Sequence, residues 1–260
     1  MVLEKENKMK ALITGASSGM GRDMAKILSD RGCDLILVAR RRDRLEQLAS
    51  SLKTHTQIIC ADLSVESECV ALYEQVRSEN IDILINNAGL GVFGAFDTTD
   101  LKKELRMIDT NIRAVHILTK LFLKDFKARN TGYIMNVASS AAFQPGPLLS
   151  SYYASKAYVL RLTEAVYEEL RRSGSRVHIC ALCPGPVRTE FDSVADVKFS
   201  VKGLESRYVA EYSLRKMFAG KLVIVPGTLM KCTRFFGRFL PEKSMLRIAY
   251  HMQKRKTGEK

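Results

Sequence analysis

The sequence contains no stretch approaching the ~18 unbroken apolar residues of a membrane-spanning helix. It opens on charged residues, Glu4-Lys5-Glu6-Asn7-Lys8, before any apolar run begins, so a secretory leader is not expected. Histidine is scarce: the four present are scattered without metal-ligand spacing, and no metal site is expected. The six cysteines lack the spacing of a secreted disulfide framework. One pair, Cys180-Ala181-Leu182-Cys183, has the form of a C-x-x-C redox motif. It lies in an apolar strand pattern, where positions three apart face opposite sides of a sheet, so a buried structural pair is expected. These absences point to a soluble, cytoplasmic protein.

At 260 residues, 46% hydrophobic and 27% charged, the chain has the size and composition of a single globular α/β domain. Its net charge of +13 is uneven. Residues 198–260 carry 15 Lys and Arg against 4 Glu, so the rest of the chain is nearly neutral.

Met9 to Ile13 reads as a short buried strand, followed by Thr14-Gly15-Ala16-Ser17-Ser18-Gly19-Met20-Gly21 and a helical pattern through Met24, Ile27 and Leu28. Strand, glycine loop and helix in that order set backbone N–H groups and the positive end of a helix dipole where a pyrophosphate would bind. Gly15, Ser17, Ser18, Gly19 and Met20 are therefore candidate cofactor contacts. The second strand, Cys33 to Val38, ends in Ala39-Arg40-Arg41-Arg42. An acid at this place would hold a ribose 2′-hydroxyl, whereas arginine accommodates a 2′-phosphate. Arg40 and Arg41 thus favour NADP(H) over NAD(H), and Arg42 reads as a solvated helix start.

A third strand from Gln57 delivers Asp62 and Leu63 to the carboxyl edge of the sheet, where open α/β sheets bind ligands, and Ser64 is expected to cap the following helix. A fourth strand, Ile81 to Ile85, brings Asn86, Asn87, Ala88 and Gly89 to the same edge. One long helical region is expected from about Thr98 to Lys127, with Asn111 in its middle. A fifth strand, Tyr133 to Val137, ends at Ala138-Ser139-Ser140. A helix spans Ser151 to Arg171. A sixth strand, Val177 to Cys183, closes in Pro184-Gly185-Pro186-Val187-Arg188-Thr189, and a seventh covers Leu222 to Val225. Six or seven strands alternating with helices predict a Rossmann-like, doubly wound parallel sheet with helices on both faces. Residues 9–190 would form the dinucleotide-binding and catalytic core, 190–227 a substrate lid and last strand, and 228–260 a basic amphipathic extension.

Within the Ser151–Arg171 helix, Tyr152 and Lys156 lie one turn apart on the same face. A fixed ammonium beside a phenol favours the phenolate, which would lower the tyrosine toward working pH and make it a general acid or base.

Taken together, Thr14 to Gly21, Asp62, Asn87-Ala88-Gly89, Asn111, Ser139, Tyr152 with Lys156, and Pro184-Gly185 with Thr189 resemble the short-chain dehydrogenase/reductase family. The resemblance implies a bound nicotinamide dinucleotide, and a homodimer or homotetramer built partly from the helices carrying Asn111 and Tyr152. By the same resemblance Tyr152 protonates a carbonyl oxygen as hydride arrives, and Lys156 lowers its pKa and grips the nicotinamide ribose. Ser139 donates to the developing charge, with Ser140 its rival, and Asn111 positions a water. Pro184, Gly185, Val187 and Thr189 line the nicotinamide end, the last two holding the carboxamide. One departure concerns the cofactor: Ser18 stands where NADP-preferring members often carry a base.

Val92, Phe93, Phe96, Phe143, Pro145, Leu148, Leu149, Phe191, Val194 and Phe199 are candidate pocket walls, unless several pack the core. They suit a ketone or secondary alcohol on an apolar body, such as a steroid, acyl chain or aromatic ketone. The alternative is a catalytically idle NADP(H)-binding protein. In the tail, Phe235, Phe236, Phe239, Leu240, Met245, Leu246 and Ile248 interleave with Arg234, Arg238, Lys243 and Arg247. Packing on the body or a neighbouring subunit is the preferred use, with peripheral attachment to an anionic membrane the competing one. Nucleic-acid binding is not expected, because no recognition motif accompanies the charge.

Overall fold

The computed structural model describes residues 8–190, 203–236, 239 and 241–254. Its sheet contains β1 (Lys10–Thr14), β2 (Asp34–Ala39), β3 (Thr56–Cys60), β4 (Ile83–Asn86), β5 (Tyr133–Val137) and β6 (His178–Leu182). After β6 a short pair, β7 (Val187–Arg188) and β8 (Leu204–Glu205), lies outside this sheet, and β9 (Val223–Ile224) completes it. The strand order is β3-β2-β1-β4-β5-β6-β9, every pairing parallel. Because the order reverses between β1 and β4, the crevice for a ligand lies at their carboxyl ends.

The helices are α1 (Gly19–Asp30), α2 (Arg42–Ala49), α3 (Glu66–Val76), α4 (Leu101–Ile108), α5 (Ala114–Arg129), α6 (Ser150–Arg172), α7 (Ser206–Phe218), α8 (Thr228–Phe236) and α9 (Glu242–Lys254). Strand alternation divides the core between the two faces. Ala11, Ile13, Leu35, Leu37, Ile83, Ile85, Met135 and Leu182 pack under α1, α2 and α7. Leu12, Ile36, Val38, Leu84, Ile134 and Ile179 pack under α3 and α5, where Phe122 and Phe126 are fully buried. The cysteine pair follows this rule: Cys180 belongs to the first face, and Cys183 to a third cluster around Val159 and Leu160 of α6. Burial pushes the Cys183 thiol up to about 12 and Cys180 upward as well, which makes both poor nucleophiles.

Two sequence expectations change. The long helix is split, because Asp109–Arg113 winds as a π-helical turn between α4 and α5 and carries Asn111. Such single wide turns often mark functional sites. Ser64 does not cap α3: its backbone N–H and hydroxyl both donate to Asp62, and the helix begins two residues later. A carboxylate within hydrogen-bonding reach outcompetes the helix terminus for this hydroxyl.

Candidate active site

The ends of β1 and β4 are locked together by side chains. Thr14 Oγ1 accepts from the backbone N–H groups of Asn87 and Ala88, each at 3.0 Å. Asn87 Nδ2 in turn donates to the carbonyls of Thr14 and Gly15, at 3.0 and 3.2 Å. This leaves no room for a side chain at Gly15 or Gly21. At Gly15, whose φ is +65°, a Cβ would sit 2.9 Å from Ala88 Cα, and at Gly21 a Cβ would sit 2.5 Å from the Gly15 carbonyl oxygen. The result is a cleft of about 260 Å³ lined by Gly15, Ser17, Ser18, Gly19 and Met20, by Arg40 and Arg41, by Asp62 and Leu63, by Asn87, Ala88 and Gly89, and by Thr189. α1 starts at its floor, so unpaired N–H groups and the positive helix end face the space. The cradle fits a dinucleotide: it is narrow and lined by backbone at one end, with arginines at the other.

Thirteen of the expected cofactor contacts share this cleft. Five lie beyond it, at the β5–β6 end: Tyr152, Lys156, Pro184, Gly185 and Val187. Gly89 bridges the two parts. A Cβ on Gly89 would lie 3.2 Å from Lys156 Nζ and 3.3 Å from Asn111 Oδ1, so both side chains converge on a residue of the cleft wall. Lys156 is buried, and its Nζ donates to the Val137 carbonyl at 2.9 Å and lies 5.9 Å from the centre of the Tyr152 ring. Ser139 hydrogen-bonds the Tyr152 phenol and accepts from the Ala141 N–H at 3.1 Å. Its neighbour Ser140 instead ties its backbone N–H to the Pro184 carbonyl. Asn111 is fully buried. Its amide brackets Leu90, accepting from the Leu90 N–H and donating to its carbonyl, both at 2.9 Å, and it also donates to Ser155 Oγ at 3.0 Å.

The titration of this pair differs from the sequence expectation. Burial pushes the Tyr152 phenol up to about 12, with the Ser139 hydrogen bond pulling the other way, while burial pulls Lys156 down to about 8. Desolvation disfavours both charged forms.

At the arginine end, burial raises the Asp62 carboxyl, but the two hydrogen bonds from Ser64, and after them the charges of Arg106 and the exposed Arg40, bring it below its ordinary value. Arg106 also bonds Asp62 Oδ2 at 2.5 Å. Arg41 donates to Ser17 Oγ at 3.2 Å and to Glu190 at 3.3 Å, and Arg44 contacts both Glu190 oxygens at 2.5 and 2.6 Å. Glu190, Arg44 and Arg106 are absent from the sequence reading. An acid following the Val187–Thr189 stretch offers no pattern that would place it opposite the end of β2.

The candidate substrate walls divide. Val92, Phe93, Phe143 and Leu148 are half-buried, Leu149 is buried, and Phe96 is 69% exposed. Pro145 is exposed as well. Leu148 holds a left-handed backbone, φ +64°, an uncommon conformation for leucine, and its carbonyl accepts from the Gly94 N–H, tying together the loops after β4 and β5. Phe191, Val194 and Phe199 lie outside the described residues. The tail packs on one side: Met230 covers Gly185, Arg234 lies over the Phe143 ring at 4.8 Å, and the buried Gln253 donates to the Tyr153 hydroxyl at 2.5 Å. Phe235, Phe236 and Phe239 stay exposed, at 57, 65 and 72%. Arg238 and Leu240 lie outside the described residues.

Comparison with known proteins gives the same picture. Residues 9–197 match the family model described as short chain dehydrogenase. An uncharacterized oxidoreductase of Staphylococcus epidermidis is 31% identical over 211 residues, 80% of this chain and 90% of that protein. The very-long-chain 3-oxoacyl-CoA reductase of Anas platyrhynchos is 30% identical over 201 residues, which cover 73% of this chain and 63% of that longer protein. Among solved structures, a short-chain dehydrogenase from Sphingobium yanoikuyae in complex with NADPH superposes with a TM-score of 0.80 at 32% identity, covering 85% of this chain and 88% of that one. A doubly wound sheet with a glycine-lined crevice and a tyrosine–lysine pair at its far end, in a chain matched over most of its length, belongs to the short-chain dehydrogenase/reductase family of oxidoreductases.

Proposed function

We propose that the protein interconverts a ketone and a secondary alcohol on a mainly apolar substrate, using NADP(H) in preference to NAD(H). One observation carries the reading: Ser139, Tyr152 and Lys156 converge where the cleft wall reaches Gly89, beyond the glycine cradle. The bound nicotinamide supplies the hydride in reduction and receives it in oxidation. Tyr152, kept protonated by its buried setting, gives its proton to the substrate oxygen. Ser139 donates to the same oxygen as charge develops there. Lys156 holds positive charge beside the phenol and is placed to grip a ribose hydroxyl. Asn111 fixes the Leu90 backbone and positions the water that links Lys156 to solvent. Pro184, Gly185, Val187 and Thr189 form the carboxamide end, and residues 190–227 the lid with the last strand.

The arginines at the end of β2 support the NADP preference, as does the NADPH named with the Sphingobium yanoikuyae structure. The half-buried apolar walls, and a relative that reduces 3-oxoacyl-CoA by name, support an apolar carbonyl substrate. Exposed Leu101 and Leu105 on α4 and Tyr158 on α6 support a homodimer or homotetramer through these helices. The exposed phenylalanines of the tail favour peripheral contact with an anionic membrane from a cytoplasmic location. The test is NADPH oxidation against a panel of steroid, 3-oxoacyl and aromatic ketones with NADH run in parallel. Turnover with NADPH at least tenfold faster than with NADH is expected, and no turnover on any apolar ketone would reject the reading.

A further inference from the structure

Glu190 is bound where a cofactor phosphate would compete for the same donors. Its carboxylate accepts from Arg44 Nη1 through both oxygens and from both terminal nitrogens of Arg41 through one. Arg41 extends the chain of contacts to Ser17 in the glycine loop. Ser17, Arg40, Arg41, Thr189 and Glu190 all line the same cleft, and Arg44, which is not itself a lining residue, joins them through Glu190. The side chains are 37 to 47% exposed in Arg41, Arg44 and Glu190, enough for an incoming ligand to reach them. Two guanidinium groups facing one monoanionic carboxylate are incompletely neutralised. A phosphate brings up to two charges and three acceptor oxygens to the same fork-shaped donors.

We propose that Glu190 is an internal counter-anion to Arg41 and Arg44, and that the cofactor's 2′-phosphate binds by displacing this carboxylate from the arginine pair. Arg44 is thereby a phosphate contact in addition to Arg41, and Glu190 sets the selectivity between the two dinucleotides. At the 2′ position NAD(H) carries only a neutral hydroxyl, which does not match the carboxylate's charge on the arginines. The inference rests on the dinucleotide reading of the cleft.

The test uses ligands without a nicotinamide, so that binding is read apart from turnover. Calorimetry compares 2′,5′-ADP with 5′-AMP on the full chain, on Glu190→Gln and on Arg44→Gln, with melting curves to verify folding. In Glu190→Gln the ratio of 2′,5′-ADP affinity to 5′-AMP affinity rises by roughly two- to tenfold, the worth of one or two exposed ion pairs. In Arg44→Gln the same ratio falls. An unchanged or lower ratio in Glu190→Gln overturns the competition, and an unchanged ratio in Arg44→Gln overturns the second contact. Equal binding of the two ligands by the unaltered chain would count against the NADP preference alone, because the ratio would still rise in Glu190→Gln if the carboxylate competes.

Discussion

Burial moves Tyr152 and Lys156 in opposite directions, each by desolvation of its own charged form. The phenol at about 12 is fully protonated across the neutral range, ready to donate in the reductive direction. The lysine at about 8 is only partly charged near pH 8, against an ordinary value of 10.5. Its folded value lies below its unfolded one, so the unfolded chain binds more protons between about 8 and 10.5. Burying Lys156 therefore costs stability in full below about 8, and that cost is relieved as pH rises toward 10.5. Tyr152 works oppositely: its raised value contributes stability below 10 that is lost as pH rises toward 12. In protein without added cofactor, with lysines labelled at Cε, one resonance is expected to titrate near 8 and to vanish in Lys156→Met. A lysine population titrating wholly at 10 or above would contradict the buried ammonium.

Among the elements, the π-helical turn and the ends of β4 and β5 do the positioning. Asn86 Nδ2 donates to Asn136 Oδ1 at 2.9 Å, and Asn136 Nδ2 donates to Thr163 Oγ1 of α6 at 3.0 Å. Thr119 of α5 joins the same buried network. It fixes α6, and with it Tyr152 and Lys156, against the sheet. Asn136→Ala leaves Asn86 and Thr163 short of a partner and is expected to lower unfolding free energy by about 2–3 kcal/mol, measured by urea denaturation. A loss under about 0.5 kcal/mol would mean the network holds little. This network was hidden in the sequence, because an asparagine inside a strand pattern is indistinguishable from one facing solvent. The break of the long helix at Asp109–Arg113 was hidden for a similar reason: Asp109, Thr110 and Asn111 are weak helix formers, but weak propensity does not tell a wider turn from an ordinary one, and the contacts of Asn111 with Leu90 and Ser155 accompany it only in the fold. In the tail, α9 buries Ala249 and Gln253 while Phe235, Phe236 and Phe239 stay exposed, and the proposed membrane contact is tested there. Phe235→Ser, Phe236→Ser and Phe239→Ser together, which leave the packed side intact, are expected to abolish salt-sensitive binding to vesicles containing phosphatidylserine. Unchanged vesicle binding would move the contact elsewhere.

Across the whole molecule, the parallel order of strands and the placing of the cleft at the carboxyl ends of β1 and β4 were legible, because glycine spacing and strand alternation are local signals that the sheet obeys. Contacts between distant loops were not: Glu190 reaches Arg41 and Arg44 across 149 and 146 residues of chain. The same architecture separates binding from chemistry. Most expected cofactor contacts surround the dinucleotide cleft, while Tyr152 stands outside it. The most direct test is therefore Tyr152→Phe, with NADPH affinity and ketone reduction measured on the same preparation. The account predicts NADPH affinity within about threefold of the unaltered chain and turnover lowered by about 100- to 10,000-fold, the range for losing a general acid. Turnover that survives the change would contradict it.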